Sequence, residues 1–392
     1  MAGADKGLPV LIAGGGIGGC VTALALAQRG IASRVFEQAD EFREVGAGIQ
    51  LGPNAFKMFD RLRLTAAIDK VAWFPDKLVM MDNLTGERVV SMALDEAHLA
   101  RFHYPYGVIH RADLLDVIVA ACRARADLIE LNTSSKVVAH EDRGHCVSIT
   151  LESGARHEGA ALIGAEGLWS RIRESVIGDG KPRVSGHIAY RAVLPRAEVP
   201  EDLWSPSIVL WGGEKRHLVH YPLRRGELYN LVVVFHSQRY EEGWDAYGDP
   251  DELNERFANA VPQCKRLLEK IESWRMWVLC DREPMKNWSS NRITLIGDAA
   301  HPMLQYLAQG AVMSMEDAWV LANCVEEAKG DYPQAFLAYQ QARYLRTARV
   351  QLTARLYGDI YHAAGATREL RNQMLSQGKG SSEGMAWLYD GV

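Results

Sequence analysis

Val10-Leu-Ile-Ala-Gly14-Gly15-Gly16-Ile17-Gly18-Gly19, continued by Ser33-Arg-Val-Phe-Glu37, is the stretch that decides the fold. Four apolar residues read as a buried strand. A glycine-rich turn follows, then a helix from about Cys20 to Arg29 with Gly30 at its end, and a second short strand closed by an acid. Gly14, Gly16 and Gly19 stand at the spacing G-x-G-x-x-G. Without side chains there, the backbone can turn tightly. Its N–H groups and the positive end of the helix can then meet a pyrophosphate. Glu37 lies where a carboxylate accepts hydrogen bonds from an adenosine ribose. Strand, glycines, helix, strand and acid in this order predict a βαβ dinucleotide site. Its members are Gly14, Gly15, Gly16, Ile17, Gly18, Gly19, Glu37 and Gln38. A signal peptide does not fit, because so many turn-capable positions suit neither a helical apolar core nor a membrane span.

The chain has 392 residues, 48% of them apolar and 24% charged, as in an ordinary globular protein with room for two domains or one interrupted one. A net charge of -5 argues against nucleic acid as the main partner. Six scattered cysteines (Cys20, Cys122, Cys146, Cys264, Cys280, Cys324) without a C-x-x-C make neither a disulfide framework nor a zinc site. Free thiols, no metal and a cytoplasmic location are therefore expected. No uncharged apolar run is long enough to span a bilayer.

The first third reads as α/β. A glycine-rich loop, Glu44 to Asn54, leads into a helix from Ala55 to Leu62. Strands lie within Lys77 to Leu94, and His110-Arg111 opens a helix to about Ala126. Strands follow near Leu128–Leu131, Ser135–Glu141, Cys146–Leu151 and Ala161–Gly164. From about Gly186 to Cys280 the apolar period becomes two, with strands at Ile188–Val193, Ser207–Trp211, His217–Pro222, Tyr229–Phe235 and Trp277–Cys280. A helix is expected from Pro250 to Ala260. Arg292 to Asp298 returns to a buried-strand pattern, and the chain is helical from Gly310 to about Leu370.

The expected fold class is α/β. A Rossmann-type βαβ domain (1–75, 106–180 and 281–370) carries an inserted antiparallel-sheet domain (76–105 and 181–280) and a long C-terminal helical segment. Residues 371–392 read as a flexible tail, with Met385–Tyr389 either loose or docking an aromatic anchor on a partner subunit. Arg343, Arg346, Arg349 and Arg355 read as a solvated helix face, with binding of an anion or a partner as the alternative.

Asp298 directly follows the strand Ile293–Ile296, at the carboxyl end of a sheet, where α/β ligands bind. There it could accept hydrogen bonds from a polyol. The helix opened by Gly310 and Ala311 would aim its positive end above that turn. A lone Gly-Asp is also compatible with a simple Asx turn.

Taken together, Gly14–Gly19 with Glu37, His110-Arg111, Gly164-Ala-Glu-Gly167 with Ser170 and Arg173, Tyr190-Arg191, and Gly297-Asp-Ala-Ala-His-Pro302 resemble the single-component aromatic-ring flavoprotein hydroxylases, the 4-hydroxybenzoate hydroxylase fold family. The resemblance runs from about residue 8 to residue 360. It implies FAD as cofactor, NADH (or NADPH) as reductant, O2 as co-substrate, and a C4a-hydroperoxyflavin that hydroxylates a phenolic ring. It also implies a homodimer. Glu37 would then hold the adenosine ribose, Arg111 the pyrophosphate or ribitol, and Asp298 the ribitol. Gly48, Ile49, Gly310 and Ala311 would lie along the flavin. Two positions depart from the family pattern. Its usual Asp-Gly is Glu166-Gly167 here. A proline beside the reacting edge of the flavin in relatives is here Gln305, which offers two donors and an acceptor.

His217, Val219 and Tyr221 share one strand face. His217, the side chain suited to take a phenol proton near neutrality, is the expected base. Tyr221 would orient a substrate carboxylate or relay the proton, and Gln305 would orient the ring. His220, on the other face, is expected to be structural. Within the family, His217, Tyr221 and Gln305 resemble members that oxidise 3-hydroxybenzoate para to the phenol, giving 2,5-dihydroxybenzoate (gentisate). Members that attack salicylate with loss of carbon dioxide come second. A flavoprotein reductase without oxygen insertion and a module holding FAD as a structural element remain open at this stage.

Overall fold

Val10–Ala13 carries no polar side chain because it is buried on both faces, pairing in parallel with Ser33–Phe36 on one edge and Ala161–Gly164 on the other. The computed structural model describes residues 7–43, 47–239, 247–377 and 382–392. Around that central strand lies a six-stranded sheet in the order Ser289–Ser290, Ile293–Leu295, Ala161–Gly164, Val10–Ala13, Ser33–Phe36, Ile129–Asn132. It is parallel except for the short edge strand Ser289–Ser290. Ile293–Leu295 joins it from the far end of the chain, so the nucleotide-binding unit is discontinuous. The first helix runs Ile17–Ala27 and packs on the helix Gly310–Glu327. It starts three residues before the expected Cys20, because Gly16 already has extended backbone and serves as N-cap.

A second, seven-stranded sheet has the order Arg275–Asp281, Arg183–Pro195, Leu228–His236, Arg216–Leu223, Ile208–Gly213, Lys77–Asp82, Arg88–Ala93. All its pairings are antiparallel except Lys77–Asp82 with Ile208–Gly213. That hairpin comes from a distant part of the sequence, so it can join the edge in either direction. The period of two now has a physical reading. Leu218, Tyr229, Leu231 and Val233 pack into a small core with the helices Pro250–Arg256 and Pro262–Leu268, whereas Val219, Tyr221, Leu223 and Val232 join the core of the parallel-sheet unit. The sheet is therefore buried on both faces and presents one of them to the nucleotide side.

Several expectations need correction. The helix expected from Pro250 to Ala260 stops at Arg256, and a second helix, Pro262–Leu268, starts with proline in its first turn. Within the glycine-rich loop, Gly48–Leu51 is a strand paired with Gly107–His110; Gly46 lies outside the described residues. The tail is not loose where it is described. Helix Gly365–Gln377 extends past the expected end, and Ala386–Tyr389 docks on its own chain, with Leu388 and Tyr389 buried in the main core. Residues 378–381 of the Gly/Ser stretch lie outside the description. The arginines of helix Tyr332–Tyr361 are not a solvated face. Arg343 is fully buried between Glu316 and Asp317, and Arg346 binds Glu316 and the Trp387 and Leu388 carbonyls. Arg349 lies 4.2 Å from the Trp387 ring centroid, and Arg355 pairs with Asp281 and Glu283. Among the described residues no helix is long and apolar enough to cross a membrane. All six cysteines are free thiols.

Candidate functional site

The glycine turn is a cradle that only glycine can form. Gly14 has φ +108°, and a Cβ there would come 2.3 Å from the Ala165 carbonyl oxygen. A Cβ on Gly19 would come 2.0 Å from the Gly14 oxygen, so the helix can seat against the turn only without it. The helix Ile17–Ala27 has no side-chain cap and no acid in its first turn. Its N-terminal N–H groups are thus left to an anionic ligand. Glu37 stands beside them: one carboxylate oxygen accepts from Gly15 N at 2.8 Å and the other from Ala39 N at 2.9 Å. Two oxygens carry about four lone-pair sites, so capacity remains for a ribose diol. Gln38 is exposed immediately beyond.

The second half of the site is the turn Gly297–Ala300. Gly297 has φ +54°, and its N–H donates to Asp317 Oδ2 at 2.9 Å. Arg173 donates to the Ala299 and Ala300 carbonyls at 2.8 and 2.7 Å. Held from both sides, the turn presents Asp298 as an exposed carboxylate at the strand's end, with Gly310 beside it. Helix Gly310–Glu327 likewise starts without a side-chain cap or an early acid. Two uncapped helix N-termini, a glycine cradle and carboxylates placed for a ribose and a polyol fit FAD. Glu166 has a plain structural role: it accepts from Ser170 Oγ at 2.7 Å and from Ile172 N at 3.1 Å, capping the helix Arg171–Val176.

The sheet face above carries the pocket residues. His217 is buried, and burial lowers its pKa to about 3, with His187 adding to the effect. Its Nδ1 lies 2.8 Å from His362 Nε2, and no donor or acceptor among the described residues meets its Nε2. Its ring stands 5.6 Å from both Tyr306 and Tyr361. Gln305, next to Tyr306, accepts from Arg191 Nη2 at 2.5 Å. Arginine can only donate, so the Gln305 oxygen must face it and the amide NH2 points elsewhere. Arg191 itself lies over Trp277 at 5.2 Å.

Tyr221 is buried at the other end of the face. Burial raises its hydroxyl pKa, while Arg191, Arg111 and a Gln50 hydrogen bond oppose that rise. Tyr106 donates to Gln50 at 2.9 Å. A Cβ on Gly48 would come 2.6 Å from the Tyr221 ring, and Gly48 N–H donates to Asn230 Oδ1 at 2.8 Å. Gly48 and the half-buried Ile49 therefore lie where the two sheets meet. His220 is structural as expected: Nε2 accepts from Trp211 and Nδ1 meets Tyr229 Oη at 2.6 Å.

Sequence reasoning left out Arg191, Tyr306, Gln50 and Tyr106, and the histidines 187, 236 and 362. Arg191 stands in a dipeptide already singled out, whose other member, Tyr190, only anchors Asp249 N. Period-two reading of Arg183–Pro195 and Leu228–His236 could have found His187 and His236, which are direct cross-strand partners. Nothing local marks His362, the C-cap of a long helix.

Comparison with known proteins agrees with this geometry. The family described as "FAD binding domain" matches residues 7–352. The chain is 44% identical over 388 residues to the 3-hydroxybenzoate 6-hydroxylase of Polaromonas naphthalenivorans (strain CJ2), covering 97% of this chain and 96% of that one. Klebsiella pneumoniae HpxO complexed with FAD and uric acid superposes with a TM-score of 0.87 at 23% identity, covering 99% and 98% of the two chains. A salicylate hydroxylase substrate complex gives a TM-score of 0.82 at 25% identity, covering 98% and 96%.

Proposed function

The chain belongs to the FAD binding domain family, and on that premise we propose that it is an NADH-dependent flavin monooxygenase converting 3-hydroxybenzoate to 2,5-dihydroxybenzoate. When bound, FAD would supply the redox chemistry that links NADH oxidation to insertion of one oxygen atom from O2. The observation that carries the substrate reading is the pocket wall: a buried neutral His217 beside Tyr306, the Arg191-oriented Gln305 next to it, and Tyr221 within the field of Arg111 and Arg191.

His217 Nε2 takes the phenol proton as the ring becomes electron-rich, which helps electrophilic attack para to the oxygen. The Gln305 NH2, pointed away from Arg191, donates to the phenolate. Tyr221 orients the carboxylate, and the two arginines stabilise its charge. Glu37 would hold the adenosine ribose and Asp298 the ribitol. The main-chain N–H groups at Gly14–Gly19 would meet the pyrophosphate, and those at Gly310–Ala311 the flavin ring.

The reading extends to a cytoplasmic homodimer. NADH is an intracellular reductant, and Leu345, Leu352 and Leu356 stand exposed along one helix as a face a second copy could cover.

The test is NADH consumption in air by FAD-loaded protein with 3-hydroxybenzoate, salicylate and 4-hydroxybenzoate in turn, with chromatography of products. Gentisate in near-stoichiometric yield from 3-hydroxybenzoate is expected. His217→Ala should divert the reducing equivalents to hydrogen peroxide. Catechol from salicylate alone would move the substrate, and peroxide with all three would end the pocket reading.

A further inference from the structure

Three histidines behind the pocket form a continuous chain. His217 Nδ1 meets His362 Nε2 at 2.8 Å, and His362 Nδ1 meets His236 Nε2 at 3.0 Å. The chain starts at a fully buried ring and ends at His236, which is half-buried. Its members come from two strands and a helix C-terminus, and the backbone locks them together. His362 O accepts from Lys215 N at 3.1 Å, and His236 N donates to Lys215 O at 3.0 Å. His187 stacks on His236 with centroids 4.0 Å apart and spends its Nδ1 on Tyr306 Oη at 2.5 Å. One nitrogen from each of His187, His236 and His362 lies within 4.8 Å of the others, but His362 has both nitrogens engaged along the chain.

We propose that His362 and His236 are a proton relay that carries the substrate's phenolic proton from His217 to solvent. The proposal rests on the reading of His217 as the base. With all three rings neutral, only two tautomer runs satisfy both hydrogen bonds, and one of them leaves His217 Nε2 as an acceptor. In that run every ring carries its proton on Nδ1. The phenol proton enters at His217 Nε2, and the Nδ1 proton of His217 passes to His362 Nε2. The Nδ1 proton of His362 passes to His236 Nε2, and His236 gives its own Nδ1 proton to water. One proton enters, one leaves, and each ring ends neutral in its other tautomer. No cation has to rest in the interior, where burial disfavours one on every ring of the chain. The charged groups facing the exit are Lys215, Asp359 and Arg256, and those facing the interior are the other histidines with Tyr306 and Tyr361. His362 and His236 act through His217 and touch no substrate; they are positioning residues for its proton.

The experiment mixes oxidised, FAD-loaded protein with 3-hydroxybenzoate in weakly buffered solution. A pH indicator reports proton release and the phenolate absorbance reports ionisation of the bound ring. Wild type is expected to release a proton on binding. His236→Gln and His362→Gln should reach the same amplitude with unchanged affinity, but at least about tenfold more slowly, and added imidazole should restore the rate. His236→Gln alone suffices if the buried variant does not fold. Release at the wild-type rate in both variants, while His217→Ala loses the phenolate signal, overturns the relay and keeps the base. Full ionisation in His217→Ala overturns the base and the relay together.

Discussion

Replacing Arg343 by methionine should be among the most damaging single changes in this protein. Arg343 bridges Glu316 and Asp317, all three without solvent exposure, at 2.9 and 2.7 Å. Burial pushes both carboxyls up, but Arg343 outweighs it together with Arg346 at Glu316 and His301 at Asp317, so both stay below their usual range. Methionine fills much of the volume and removes the charge. Breaking a buried pair from one side costs about 3–5 kcal/mol. For 392 residues, an unfolding entropy near 0.8 kcal/mol per kelvin converts this to a Tm loss of about 4–6 °C. The sign of the pH dependence is also fixed. In the wild type the depressed carboxylates stabilise above their unfolded pKa of about 4 and lose that contribution only as pH falls through the folded values. The variant removes the largest lowering influence on Glu316 while its burial persists, so the folded value of that carboxyl moves up and the deficit grows as pH rises towards it. Calorimetry of FAD-saturated protein should therefore show a larger loss at pH 8 than at pH 5.5, both within roughly the range the ion pair sets. A loss below about 1 °C, or one of equal size at both pH values, would refute this account of the cluster.

Glu37→Ala should weaken FAD retention about tenfold, since one or two charge-assisted hydrogen bonds are lost; a fluorescence titration with unchanged affinity would remove Glu37 from the nucleotide site. Gln305→Pro removes the oxygen that accepts from Arg191 and the amide NH2 proposed to face the ring. Peroxide yield and product regiochemistry should change while FAD stays bound, and unchanged chromatograms would sink the orienting role. Leu388 is completely buried, so Leu388→Ala should cost about 2–5 kcal/mol and lower Tm accordingly; a Tm within error of wild type would mean the C-terminal helix is not docked in solution.

What was legible in the sequence was local. Gly14–Gly19 and Glu37 lie within one βαβ unit, so spacing alone carries the geometry. The shared face of His217 and Tyr221 was legible because successive side chains of a strand point to opposite sides. The buried role of Arg343 was half visible: Phe336, Tyr339, Gln340, Thr347 and Val350 form a buried stripe at helical spacing, and Arg343 falls within it. Its residue type pointed to solvent, because its partners, Glu316 and Asp317, lie on another helix. His362 was hidden for the same reason, being 145 residues from His217 in sequence and in contact only through the fold. Arg191 shows a subtler failure. Alternation along its strand separates it from Tyr190, and only the position of Gln305 reveals which of the two matters.

The discontinuity of the parallel sheet bears on how this protein is made. Gly18 in the first helix packs against Ser314, a Cβ there lying 3.2 Å from the serine's own, and Gly52 meets Tyr389. At ribosomal speeds of about 5–20 residues per second, roughly 15–60 s separate synthesis of the glycine turn from that of its partner helix. From the synthesis of Gly164 to that of Ile293 the nascent chain carries a strand edge, Ala161–Gly164, whose neighbour does not yet exist. The second half of the flavin site therefore becomes available only late in synthesis, and expression yield should respond to flavin supply and chaperone capacity at that stage more than to events at the start of translation.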